Sequence, residues 1–144
     1  MTERFELGRL PLQAWKNGAG RTRELAVEPI GAGLDTFDWR ISVAEIERDA
    51  PFSAFPGIDR CIVLLHGAGM RLISADGRLD RRLATPGEPF HFAGEAPLEA
   101  QLLDGPSTDF NVMTRRGRWR CEVLQALEPR QVGGADAMLV LAAQ

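Results

Sequence analysis

Four short segments of this 144-residue chain hold most of the side chains that could bind or react. The first, WKNGAGRTREL, crowds Trp15, Lys16, Asn17, Thr22, Arg23 and Glu24 around Gly18 and Gly20. Glycine there would let backbone N–H groups approach an anion. The other reading is a tight turn with Trp15 buried and the charges solvated. A phosphate loop is not indicated, because the glycine spacing is wrong and no strong strand precedes it. The second segment is Asp38-Trp39-Arg40-Ile41-Ser42. If Trp39, Ile41 and Val43 face one layer of a strand, Arg40 and Ser42 face the other. An arginine on the inner face of a barrel is costly unless it is paired or meets an anionic ligand. On a solvated sheet face it would need no explanation.

The third segment runs from Pro51 to Arg60, where two prolines and a glycine set a rigid loop and Asp59 and Arg60 lie at its end. The fourth is DFNVMTRR, in which strand alternation puts Asn111 and Met113 on one face and Phe110 and Val112 on the other. Other chemistries find little support. The chain has two histidines, His66 and His91, too few and too isolated for an H-x-H metal set, and H-E-x-x-H and C-x-x-C do not occur. His66 reads as the end of a strand and His91 as a strand-edge residue, so no transition metal or other cofactor is expected. No G-x-S-x-G elbow occurs, and Ser42 and Ser53 have no histidine in adjacent sequence.

The elements that must carry these residues are short. Gly and Pro (15 and 9) punctuate the chain every 8–15 residues, and β-like runs lie between them. WRISV alternates, RCIVLLH is continuously apolar as a central strand would be, and Gly67-Ala68-Gly69 turns the chain into MRLIS. Asp76-Gly77 is the strongest hairpin signal. PFHFA, Leu98–Leu103, DFNVMT, WRCEVLQAL (residues 119–127) and Met138–Ala142 complete the predicted strands. AEIERD could make one helical turn. The spacing predicts an all-β sandwich or barrel. A chain of this length fits one domain, or two half-domains sharing a core.

Apolar content of 44% and charged content of 26% are those of an ordinary globular protein. Net charge is −3 and the arginines are scattered, so no nucleic-acid footprint is visible. No run approaches the ~20 apolar residues needed to cross a bilayer. The first 15 residues are too charged for a signal peptide. Cys61 and Cys121 both fall in apolar, strand-like runs and read as reduced, buried thiols, in keeping with a cytoplasmic location.

Taken together, WKNGAGRTRELA, FDWRISVAEIERDAPFSAFPGIDR, the LLHGAGMRL run and LLDGPSTDFNVMTRR resemble the HutD/Ves family, in collinear order over roughly residues 10–120. The resemblance implies a cupin (jelly-roll) β-barrel over residues 1–144, with the family's bicupin arrangement and a C-terminal half that AMLVLAAQ would leave shortened. Ala19 stands where the family usually carries another glycine. The resemblance further implies no catalytic metal and a link to histidine utilisation. Its expected function is non-catalytic binding of a small anionic metabolite of the urocanate or formiminoglutamate type, moderating that pathway. The motif positions it carries over as ligand-binding are Trp15, Asn17, Arg23, Glu24, Arg40, Ser42, Asp59, Arg60 and Asn111. One aromatic, three arginines and several hydrogen-bonding groups suit a small planar carboxylate. The alternative role for the same residues is a buried polar network that staples two half-barrels. The rival function is a cofactor-free isomerase or hydrolase using Glu24 or Asp59 as acid/base. A third is an interaction module that pairs through a sheet edge or forms a homodimer.

Overall fold

The computed structural model describes residues 3–142. Ten strands form: β1 (Gln13–Ala14), β2 (Gly20–Glu28), β3 (Trp39–Ile46), β4 (Ala50–Phe52), β5 (Ile58–His66), β6 (Met70–Ser74), β7 (Asp80–Leu83), β8 (Pro89–Ala93), β9 (Leu98–Leu102) and β10 (Ser107–Arg115). Among the described residues the one helical element is a 3-10 turn at Leu7–Arg9. The strands build a six-stranded sheet, β1-β2-β3-β10-β5-β8, and a four-stranded sheet, β4-β9-β6-β7. All pairings are antiparallel. The chain alternates repeatedly between the sheets, but they remain two hydrogen-bonded sheets rather than one closed barrel.

The core between the sheets follows from strand alternation. Ile46 and Ile62 of the larger sheet meet Phe52, Met70, Leu72, Leu83, Leu98 and Ala100 of the smaller. A second cluster, Phe37, Ile58 and Met113, closes the other end. RCIVLLH is apolar on both faces for a reason: β5 lies between β10 and β8, and its outward residues Cys61 and Val63 are covered as well. The cover is the segment after β10, which lays Cys121 and Val123 against Cys61, Val63 and Val112.

Three sequence expectations change here. Residues 119–127 and 138–142 are not strands; no strand forms among the described residues after Arg115. The apolar pattern of WRCEVLQAL reflects packing across a sheet face, not pairing within a sheet. Cys121 is accordingly half-buried and outside any strand, whereas Cys61 is fully buried in β5. Ala44–Asp49 makes no helical turn, because β3 continues to Ile46 and thereby keeps Ala44 and Ile46 in the core. Asp76-Gly77 does turn β6 into β7, with Gly77 at φ 72°. Gly69, at φ 95°, is where the chain crosses from one sheet to the other, and a Cβ there would meet the Leu83 carbonyl oxygen at 1.8 Å.

Candidate functional site

Four long strands, β2, β3, β10 and β5, present a polar layer to the space between the sheets. Register aligns Glu24 of β2 with Ser42 of β3, Ser42 with Asn111 of β10, and Asn111 with Ile62 of β5. The next inward positions along β3, β10 and β5 are Arg40, Met113 and Arg60. Glu24, Arg40, Ser42, Arg60 and Asn111 therefore share one inner face, flanked by the two apolar clusters. Arg40 donates to Glu24 Oε2 from Nε at 2.9 Å, and its side chain is 11% exposed. The solvated-face reading of Arg40 is thus replaced by a paired arginine at the edge of the interior.

Arg60 lies deeper, at 6% exposure. Its guanidinium sits 5.1–5.7 Å from the ring centroids of Phe52, Phe55 and Phe92. Such contacts offset part of the cost of desolvating a cation. Nη2 donates to Asn111 Oδ1 at 3.3 Å, and Asn111 Nδ2 donates in turn to Asp109 Oδ1. Asp109 is fully buried. Two buried atoms of this chain of contacts have no partner: Arg60 Nε and Asp109 Oδ2. Burial lowers the Arg60 pKa to about 10, against Asp109, which raises it; nearby Arg40 lowers it further. Burial pushes the Asp109 carboxyl up to about 7, against the opposing pull of Arg60 and Asn111. The layer thus sets two arginines against Glu24 and an Asp109 carboxyl that burial drives toward its neutral form. It carries spare positive charge in a poorly solvated place, which favours an anion.

The other motif residues go elsewhere. WKNGAGRTREL forms the tight turn between β1 and β2: Trp15 N donates to Gly20 O, Gly18 N to Trp15 O, and Ala19 N to Asn17 Oδ1. Those amides are committed within the turn rather than offered to an anion. Positive φ falls on Gly18, and the close approach falls on Gly20, where a Cβ would lie 2.7 Å from Glu45 O; Ala19 is buried with neither demand. Trp15 packs beside Phe52 and donates from Nε1 to Thr22. Arg23 points outward near Glu45, at 4.0 Å. Asp59 is also on the outer side, 2.8 Å from Arg116. His66 ends β5, and His91 lies in the edge strand β8. Among the described residues no three His, Cys, Asp or Glu side chains cluster as metal ligands would.

Asp109 and the phenylalanine cage escaped the sequence reading. Asp109 stands two residues before Asn111, so alternation alone would have put it on the same face. The three rings come from β4, the loop after it and β8, and nothing in their local sequence announces that they converge.

The HutD family model matches residues 8–144. Over 139 residues the chain is 40% identical to Protein Ves of Cronobacter sakazakii, covering 96% of this chain and 74% of that protein. It is 42% identical over 113 residues to an uncharacterised 21.2 kDa protein of the hutC 3′ region of Pseudomonas putida, covering 78% and 58% respectively. The solved structure of HutD from Pseudomonas fluorescens SBW25 superposes with a TM-score of 0.68 at 38% identity, over 76% of this chain and 58% of that one. The chain thus spans little more than half the length of several relatives. A cupin-superfamily sugar phosphate isomerase from Silicibacter pomeroyi aligns with a TM-score of 0.57 at 16% identity, covering 78% of this chain and 76% of that one, which identifies the fold as cupin-like.

Proposed function

The chain belongs to the HutD family, and from that premise we propose that it is a non-catalytic binding protein for a small anionic metabolite of the urocanate or formiminoglutamate type, moderating histidine utilisation in the cytoplasm. The observation that carries this reading is the inner polar layer, where Arg40 and Arg60 outnumber the ionised carboxylates and Arg60 keeps a buried, unpartnered Nε. A carboxylate is the group that satisfies both deficits, since it accepts from guanidinium N–H groups and supplies the missing negative charge. The P. putida relative lies beside hutC, which supports the assignment to histidine utilisation. We further infer that these two sheets correspond to one half of the bicupin arrangement that the family resemblance implies.

The enzymatic alternative is weaker. Glu24 is engaged by Arg40 and Asp59 by Arg116, on opposite faces of the sheet, and neither is left as a free base. Calorimetric titration with urocanate and with formiminoglutamate tests the binding reading. The expected result is saturable binding of one of them, weakened in Arg40→Ala by about 2–5 kcal/mol and partly recovered in Arg40→Lys, which restores charge but not the planar fork. Binding that survives Arg40→Ala undiminished places the ligand elsewhere. Failure of the wild type to bind either compound removes this ligand class.

A further inference from the structure

The outer face of the large sheet carries a second chemical group, a pair of thiols beside a cavity whose wall also includes Arg60 and Phe92. Cys61 of β5 is fully buried there, and Cys121, in the segment that crosses this face, packs against the same cluster. Cys61 Sγ lies 3.7 Å from His91 Nε2 on the neighbouring strand β8. Cys121 is half-buried and opens onto a cavity of about 300 Å3 that is also lined by Asp59, His91, Thr114 and Arg120. One thiol is therefore reachable from solvent, and the other is held behind it with an imidazole in contact. That is the arrangement of an attacking and a resolving cysteine.

We propose that Cys61 and Cys121 form a redox-active pair in which Cys121 is oxidised by a hydroperoxide and Cys61 resolves it to an intramolecular disulfide. In the first step the Cys121 thiolate attacks the distal oxygen of ROOH. The O–O bond breaks, Cys121–S–OH forms, and the alkoxide leaves as ROH after taking a proton. In the second step Cys61 sulfur attacks the sulfenic sulfur. An S–S bond forms, hydroxide leaves and takes up a proton to become water, and the Cys61 thiol proton passes by way of His91 to solvent. Overall, two thiols and one hydroperoxide give a disulfide, ROH and water.

The electrostatics agree with these roles. Interaction with the Cys61 thiol lowers the Cys121 pKa, against burial and the charge of Asp59, which raise it. The same interaction, with burial, pushes Cys61 up. The accessible member is thus the one whose pKa is lowered, the direction that favours reactivity. The disulfide would fasten the segment after β10 to β5 and tie down a stretch that backbone pairing leaves free.

The test exposes the folded full chain to stoichiometric hydrogen peroxide and reads intact mass and a non-reducing peptide map. The expected product has lost two hydrogens and yields a peptide linking Cys61 to Cys121. In Cys61→Ser, dimedone should capture a persistent sulfenic acid on Cys121. In Cys121→Ser, oxidation of Cys61 should slow by about tenfold or more. The proposal is overturned by any of three wild-type outcomes: no mass change, Cys121 driven to sulfinic acid while Cys61 stays free, or disulfides only between molecules. Oxidation of Cys61 in Cys121→Ser at the wild-type rate overturns the assigned order of attack.

Discussion

Two arginines, the buried Arg60 and the exposed Arg116, show how burial decides what the same group does. Arg116 lies on the outer surface, 45% exposed, and reaches Asp59 at 2.8 Å and Glu95 at 2.5 Å. Its geometry is good and its partners are complete, yet water competes for every contact and salt screens them. Arg60 has a single longer hydrogen bond, to Asn111, and three aromatic rings. It is 6% exposed, and the carboxyl that acts on its charge, Asp109, is itself driven toward the neutral form by burial. The well-paired arginine is nearly inert for stability. The poorly paired one is strongly coupled to everything beside it, and only that kind of site responds to an arriving anion.

The contrast can be broken by substitution. Arg60→Ala should show the largest effect, a loss of about 3–5 kcal/mol in urea unfolding, because it deletes ring contacts and leaves Asn111 and Asp109 without their cation. A loss below 1 kcal/mol would mean that the interior tolerates Arg60 only as filler. Asp109 sharpens the contrast through pH. Its folded-state pKa is raised from 3.8 to about 7, so the stability it contributes is fully present below about pH 4 and is lost as pH rises through about 7. At 1.36 kcal/mol per unit this amounts to at most about 4 kcal/mol. Asp109→Asn should flatten the fall in stability between pH 4 and 7, as followed by thermal unfolding across a pH series. An unchanged slope would deny Asp109 its raised pKa. Arg116→Ala should show the smallest effect, about 0–1 kcal/mol and shrinking with added salt.

Much of this was legible before the structure. The all-β class followed from Gly/Pro spacing, and alternation correctly separated Arg40 and Ser42 from Trp39, Ile41 and Val43. The continuous run RCIVLLH did mark an interior strand. WRCEVLQAL looks like a strand because packing across a sheet face and pairing within a sheet select the same apolar residues, whereas residues 138–142 form no strand and leave Met138 and Val140 exposed. The turn at Asn17 drew notice for its density of polar groups, but those groups are consumed locally. Arg23 and Asp59 were carried over with their motifs, although alternation along β2 and β5 sends them outward. Asp109 was within reach of the same rule. The aromatic cage was not, because its members meet only through tertiary contacts.

The central claim is that the layer between the sheets is short of negative charge and takes an anionic ligand. The most direct measurement is a carbon-13 NMR titration of the Asp109 carboxyl, with and without urocanate or formiminoglutamate at saturation. The account predicts a midpoint near 7 in the free protein. It predicts a higher midpoint with ligand, because a carboxylate seated beside Arg60 disfavours a second negative charge at Asp109. A midpoint that stays near the ordinary aspartate value, or one that does not move when ligand is added, would contradict it.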